Sequence, residues 1–148
     1  MSNRLRMGKV YPAGYQAMIA FDKVIGQTGI DPWHKELIKI RASQINGCAY
    51  CVDQHTQDAL ALGVNPRKIN VLCTWREATN HFSEEEQLII RLTEEMTLIH
   101  EHGVSDELYD QCIAKFGDAR TGELMMAVIV INAWNRLGVA QHLHPEFA

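Results

Sequence analysis

Two cysteines and a histidine lie close together in the segment INGCAYCVDQHTQDALALGV, residues 45–64. Cys48 and Cys51 form a Cys-x-x-Cys pair, and His55 follows one helical turn after the second cysteine. If a helix begins at Cys48, the three side chains share one face, because residues three and four apart are neighbours on a helix. Cysteines at that spacing can approach the Cβ separation of about 3.8 Å that a disulfide requires. The pair is therefore a candidate redox dithiol with its own base.

The preceding segment supplies a carboxylate for this site. Glu36 lies eleven residues before Gly47, where the chain is expected to turn, and His55 lies eight residues after it. At a rise of about 1.5 Å per residue these separations are roughly 16 and 12 Å along two helices that fold back on each other. A glutamate side chain can then reach the histidine, directly or through one water. A carboxylate that orients an imidazole, which in turn accepts a thiol proton, is the arrangement of an activated nucleophile.

Two arguments about the identity of the nucleophile disagree. The partial positive charge at a helix N-terminus favours a thiolate at Cys48. Proximity to His55 favours a thiolate at Cys51 instead. The helix dipole contributes about 0.3–1 kcal/mol near a surface, which is less than a well-placed base contributes. We therefore expect Cys51 to be the nucleophile.

A zinc site is the sharpest alternative. Cys48, Cys51, His55 and Glu36 offer two sulfur atoms, one nitrogen and one oxygen, which is a donor set that zinc accepts. Structural zinc sites usually pair two ligand clusters, however, and the sequence contains no second Cys-x-x-Cys and no His-x-x-x-His. It also contains no glycine-rich phosphate loop and no dinucleotide fingerprint. We expect no metal and no cofactor.

Helix start and stop signals predict the elements that position these residues. Asp31 and Asn65 are N-caps, each followed by proline at the first helical position. Ser83 and Glu86 have the spacing of a capping box, and glycines end helices, with Gly117 separating the last two. The predicted helices cover residues 11–26, 32–47, 48–63, 66–75, 84–100, 106–116 and 118–137.

The whole chain is predicted to be one all-α domain, a bundle of six or seven helices over residues 1–148. No segment alternates apolar and polar residues as a strand does. The composition, 47% hydrophobic and 22% charged, is that of a soluble globular protein. The net charge of −4 gives no reason to expect nucleic acid or a membrane as partner. The start of the chain lacks the apolar core of a signal peptide, so we expect a cytoplasmic protein.

The pattern of Glu36, Cys48-Ala49-Tyr50-Cys51 and His55 resembles the core motif of the AhpD-like alkylhydroperoxidases, which belong to the carboxymuconolactone decarboxylase superfamily. The likeness extends through ELIKIRASQINGCAYCVDQHTQDALALGV and to INAWNRLGVA near the C-terminus. It implies an AhpD-like helical bundle and a thiol peroxidase. Cys51 would attack the hydroperoxide and become a sulfenic acid, Cys48 would donate a proton and then close the disulfide, and Glu36 and His55 would relay protons.

One departure from the family pattern is Tyr50, since the best-characterised branch has histidine immediately before the second cysteine. The true decarboxylases of the superfamily lack the cysteine pair, which counts against lactone decarboxylation here. A redox-sensing module without turnover and an enzyme for a small carbon compound remain alternative functions. The implied partners are a hydroperoxide substrate and an external dithiol reductant, either a thioredoxin-like protein or a lipoyl carrier.

The resemblance also implies a homo-oligomer, such as a trimer or hexamer. The segment from Leu124 to Ile131 is apolar on every side, so its helix must be central or covered by another chain. We expect this helix, or the helix from Ser83 to His100, to pack against its symmetry mate.

Four further predictions concern residues outside the motif. Cys73 and Cys112 are expected to be small buried hydrophobic residues. The run Glu84–Glu86 is interpreted as a solvated first turn. The tryptophans are expected to anchor the core or an interface, and the remaining histidines to lie at the surface or at helix ends: Trp33, Trp75 and Trp134; His34, His81, His100, His102, His142 and His144.

Overall fold

The computed structural model describes residues 4–146, and every regular element in that range is a helix. The all-α prediction is confirmed. Within these residues eight α-helices are present where six or seven were predicted, because two are single turns and the last two predicted helices form one long element. They are α1 Met7–Val10, α2 Pro12–Gly26, α3 Pro32–Asn46, α4 Ala49–Ala61, α5 Pro66–Val71, α6 Glu84–Thr97, α7 Ile99–His102 and α8 Asp106–Ala140.

The predicted caps begin three of these helices. The Asp31 carboxylate accepts hydrogen bonds from the backbone amides at the start of α3, and the Asn65 side chain does the same for α5. Ser83 and Glu86 form a reciprocal capping box at the start of α6. The helix predicted for residues 66–75 ends early, because Thr74 leaves helical geometry and residues Leu72–Glu77 form a 3₁₀ helix.

Helix α8 is interrupted at the predicted position. Gly117 has φ 74° and ψ 168°, so the chain changes direction there. A left-handed φ of this kind favours glycine because a Cβ atom would be strained. By length and composition alone α8 could cross a membrane. It contacts α2, α3 and α6 in the fold, however, and those contacts explain its apolar character.

The core lies where α3, α6 and α8 pack together, with α2 and α4 against their outer faces. Leu124, Val128 and Ile131 of α8 are buried. Met126 and Ile129 are each 44% exposed, so one apolar stripe of the helix is uncovered in the single chain. The segment predicted to be central or covered is therefore central on most of its sides.

Two predictions about burial are wrong. Cys73 is exposed, because it lies between the inward-facing Leu72 and Trp75 of the 3₁₀ helix and points away from them. Cys112 is buried as expected. Glu86, interpreted as part of a solvated turn, is also buried. It accepts hydrogen bonds from the Trp33 indole, from the Lys68 ammonium and from the Ser83 backbone amide, which together replace its water.

Among the tryptophans, Trp75 is buried. The histidines expected at the surface or at helix ends are exposed, except for the half-buried His34: His81, His100, His102, His142 and His144.

Candidate active site

The cysteine pair lies at the turn between α3 and α4. Gly47, with φ 66°, ends α3 in left-handed geometry. Cys48 then occupies the N-cap of α4, and its backbone amide donates to the Ser43 carbonyl at 3.0 Å. Cys48 and Cys51 are joined by a disulfide with their Cα atoms 5.3 Å apart. The sequence prediction of a disulfide-forming pair is confirmed.

Glu36 on α3 and His55 on α4 meet directly. The histidine Nδ1 lies 2.9 Å from the glutamate Oε2, without an intervening water. An ionised carboxylate only accepts hydrogen bonds, so Nδ1 carries the proton and Nε2 is left as the acceptor of the neutral ring. Burial raises the pKa of Glu36. The hydrogen bond from His55 and the charge of Lys39 together outweigh burial, so the net pKa lies below its ordinary value.

The surroundings of Glu36 also bear on the zinc alternative. The ligand atoms of Glu36, His55 and Asp58 all lie within 4.8 Å of one another, a spacing that could hold a cation. One Glu36 oxygen already accepts from Lys39 Nζ at 3.0 Å, and the other accepts from His55. The two sulfur atoms of the proposed zinc set are joined in the disulfide. In this state each Glu36 oxygen already accepts a hydrogen bond.

A cavity of about 370 Å³ opens beside the disulfide. Cys51 and His55 both line it, together with apolar side chains of α8 that include Trp134 and Leu137. Cys48 instead lines a separate, shallower depression beside Ser43. The cavity thus reaches the cysteine that the sequence argument favours as nucleophile, together with the base.

Gly138 on α8 is a site residue that the sequence analysis missed. A Cβ atom there would lie 2.9 Å from the Cys48 sulfur and 3.5 Å from the Cys51 sulfur. The first distance is shorter than real contacts allow, so only glycine lets the disulfide rest against the helix backbone. A signal was present, because glycine inside a helix costs about 1 kcal/mol relative to alanine and needs a packing reason.

The N-terminal segment was missed as well. Arg6, Gly8 and Lys9 line the cavity. The Met7 backbone amide donates to the Gln141 side chain at 2.7 Å, and the Arg6 guanidinium donates to the Gln141 carbonyl at 3.2 Å. These contacts hold α1 against the end of α8. Since the partners are separated by more than 130 residues, no local pattern could reveal them.

The fold is all-α, its Cys-x-x-Cys disulfide lies at a helix start, and a glutamate–histidine pair joins the same two helices. This combination defines an AhpD-like thiol–disulfide protein. The chain belongs to the carboxymuconolactone decarboxylase family, whose family model matches residues 12–95. The resemblance to AhpD-like proteins is thereby confirmed.

Two individual proteins are similar to this chain. The chain is 37% identical to the uncharacterised protein YdfG of Bacillus subtilis over 95% of both chains. It is 44% identical to the alkyl hydroperoxide reductase AhpD of Bradyrhizobium diazoefficiens over 31% of this chain and 25% of that protein.

Two solved structures share the fold. One is a protein of unknown function from Agrobacterium tumefaciens, proposed to be the antioxidant defence protein AhpD. It matches with a TM-score of 0.93 and 31% identity over 99% of this chain and 100% of its own. The other, an uncharacterised peroxidase-related protein from a Silicibacter species, has a TM-score of 0.77 and 18% identity over 88% of this chain and 69% of its own.

Proposed function

We propose that the protein is a thiol-dependent peroxidase that reduces hydrogen peroxide or organic hydroperoxides through a Cys48–Cys51 dithiol–disulfide cycle. The observation that carries the proposal is the common cavity of Cys51 and His55, with the imidazole held by Glu36. A thiol that faces the cavity beside an oriented base is what nucleophilic attack on a bound peroxide requires.

In the proposed cycle the Nε2 atom of His55 accepts the Cys51 thiol proton. The thiolate attacks the terminal oxygen of the hydroperoxide, so that an S–O bond forms and the O–O bond breaks. The alkoxide takes the Cys48 thiol proton and leaves as the alcohol, and Cys51 becomes a sulfenic acid. The hydroxide displaced in the next step takes the proton held by His55 and leaves as water. Cys48 then attacks the Cys51 sulfur and releases water, and an external dithiol, either a thioredoxin-like protein or a lipoyl carrier, reduces the disulfide.

The decisive experiment measures turnover of cumene hydroperoxide with dithiothreitol as reductant. Wild type is compared with Cys51→Ser, and Cys73→Ser serves as the matched control because that thiol is exposed and lies outside the cavity. We expect turnover to be abolished in the first variant and retained in the second. Equal rates in wild type and Cys51→Ser would falsify the assignment.

Mass spectrometry after one equivalent of peroxide tests the role of Cys48. The expected product is the Cys48–Cys51 disulfide. A stable sulfinic acid on Cys51 without a disulfide would contradict Cys48 as the resolving partner. Disulfide formation without turnover would identify a redox sensor rather than a peroxidase.

We extend the proposal to the assembly, in which the 148-residue chain acts as a single-domain subunit of a cytoplasmic homo-oligomer. The exposed apolar side chains Met126 and Ile129 on α8 support a covering partner. Light scattering should give a multiple of 16.8 kDa. A monomer at micromolar concentration would contradict this part of the proposal.

A further inference from the structure

The cavity beside Cys51 is larger than hydrogen peroxide needs. A water molecule occupies about 30 Å³, and hydrogen peroxide, with two oxygen atoms, needs roughly twice that. The cavity measures about 370 Å³, within the range of roughly 300–1,000 Å³ that organic ligands fill. Its walls include Ile131, Trp134, Leu137 and Leu143. Both size and lining fit a substrate with an apolar body.

The charges around the cavity are unequal. Three cationic side chains line it, from Arg6, Lys9 and Lys39, and Asp22 is the one carboxylate among the lining residues. Lys39 is already paired with Glu36. Arg6 and Lys9 form no salt bridge within residues 4–146. Two cations are therefore available to an anionic ligand.

The cationic side chains at the cavity are exposed to solvent, whereas the reactive sulfur is buried. Cys51 is only 6% exposed and Gly138 is buried, whereas Arg6 and Lys9 are exposed. The Arg6 guanidinium is oriented by its hydrogen bond to the Gln141 carbonyl. A planar guanidinium with free N–H groups is suited to bind a carboxylate. A bound molecule would thus place an anionic end at the mouth and an apolar body toward the sulfur.

We propose that the substrates are amphipathic organic hydroperoxides that carry a carboxylate, with the peroxide end at Cys51 and the carboxylate at Arg6 and Lys9. This proposal rests on the peroxidase function and specifies its substrate class. In one turnover the O–O bond breaks, the two thiols are oxidised to the disulfide, and the products are a hydroxy acid and water.

The test compares a medium-chain hydroperoxy fatty acid with its methyl ester, both below micelle-forming concentrations. We expect wild type to favour the acid about tenfold in kcat/KM, the factor expected from a charge-assisted hydrogen bond. In the double variant Arg6→Gln/Lys9→Gln the ratio of acid to ester should fall to near one. The double variant Lys23→Gln/Arg67→Gln, which removes the same charge from exposed positions outside the cavity lining, should keep the wild-type ratio.

Several outcomes separate the possible errors. Equal rates for acid and ester in wild type would overturn the substrate class, and so would a double variant at Arg6 and Lys9 that slows both substrates equally and leaves their ratio intact. Calorimetric binding of the hydroxy acid product against the hydroxy ester gives a readout that does not depend on turnover. If the acid binds more tightly in wild type but neither hydroperoxide is reduced, the recognition of the carboxylate stands and the peroxidase function fails.

Discussion

Glu36 and Glu94 are both buried carboxylates, yet their surroundings differ. Glu94 on α6 accepts hydrogen bonds from Arg41, from the Trp75 indole and from Arg76. Burial raises the pKa of Glu94, but the hydrogen bonds from Arg76 and Trp75 and the charge of Arg41 lower it to a net value below the ordinary one. Glu36 also has a lowered pKa, but one of its two donors is an imidazole.

The two carboxylates differ in whether their hydrogen-bond donors can gain and lose protons. An arginine does not lose its proton in a protein, and an indole only donates, so the carboxylate of Glu94 can serve only to tie α3, α6 and the 3₁₀ helix together. An imidazole changes its charge near neutral pH. The carboxylate of Glu36 can therefore stabilise a proton that His55 takes up at the cavity. Similar burial supports a structural role in one place and, we propose, a catalytic relay in the other.

The largest expected effect in this comparison is on activity. Glu36→Gln keeps the shape of the side chain but replaces the charged acceptor of the His55 Nδ1–H group with a neutral amide. We expect kcat/KM for cumene hydroperoxide to fall about a hundredfold, within the range of general acid–base catalysis. Glu94→Gln is the matched control and should keep its activity per folded molecule. A loss of activity in Glu94→Gln as large as in Glu36→Gln would remove the distinction between the two glutamates.

The order of the two variants is expected to reverse for stability, with Glu94→Gln the more strongly affected. Glu94→Gln leaves Arg41 and Arg76 without their carboxylate, so we expect the free energy of unfolding to fall by about 2–3 kcal/mol. Glu36→Gln should cost less, because Glu36 pairs with one lysine, whereas Glu94 pairs with two arginines and the buried Trp75 indole. Urea unfolding of both oxidised variants measures the difference. If Glu36→Gln is the less stable of the two, Glu36 is the structural carboxylate and the comparison is inverted.

A smaller effect concerns the backbone under the disulfide. Gly138→Ala would press a methyl group on the Cys48 sulfur, and we expect disulfide formation after one equivalent of peroxide to slow about tenfold, equivalent to about 1.4 kcal/mol in the barrier. Gly122→Ala on the same helix has open space around the new Cβ. That control should gain about 0.5–1 kcal/mol of stability from helix propensity and leave the rate unchanged. Equal rates in both variants would show that the close approach has no influence on the sulfur chemistry.

The last expected effect is the dependence of stability on pH. The pKa values of Glu36, Glu86 and Glu94 are all lowered in the folded protein from the ordinary value of 4.5. Their stabilisation is therefore present above pH 4.5 and is lost as the pH falls through the lower folded values. Between pH 4.5 and its folded pKa, each carboxylate should contribute a loss of up to about 1.4 kcal/mol per pH unit. Urea midpoints at pH 7, 5, 4 and 3 measure it, and Glu94→Gln should show a shallower decline.

Much of the fold was predictable because its signals are local. The caps at Asp31 and Asn65, the capping box at Ser83 and the break at Gly117 each depend on residues within one turn of the chain. The shared cavity of Cys51 and His55 follows from helix periodicity in the same way. These features need no knowledge of which helices pack together.

Other features depend on contacts that no local pattern specifies. The sequence limited the distance between Glu36 and His55 to a range, and the crossing of α3 and α4 decided that the two side chains meet directly. The burial of Glu86 and the exposure of Cys73 differ from expectation, because a neighbouring helix supplies or withholds the covering atoms.

The sequence by itself determined the helices, the dithiol and the histidine on its face, because hydrogen bonds within a helix and residue spacing fix them locally. Only the tertiary structure decided that Gly138 supports the sulfur atoms and that Arg6 and Lys9 border the cavity. The first contact joins α8 to the start of α4, and hydrogen bonds to Gln141 join the N-terminal segment to the end of α8. They form because burying the apolar faces of α2, α3, α6 and α8 brings distant segments together, and that requirement constrains the total buried surface rather than any particular pair of residues.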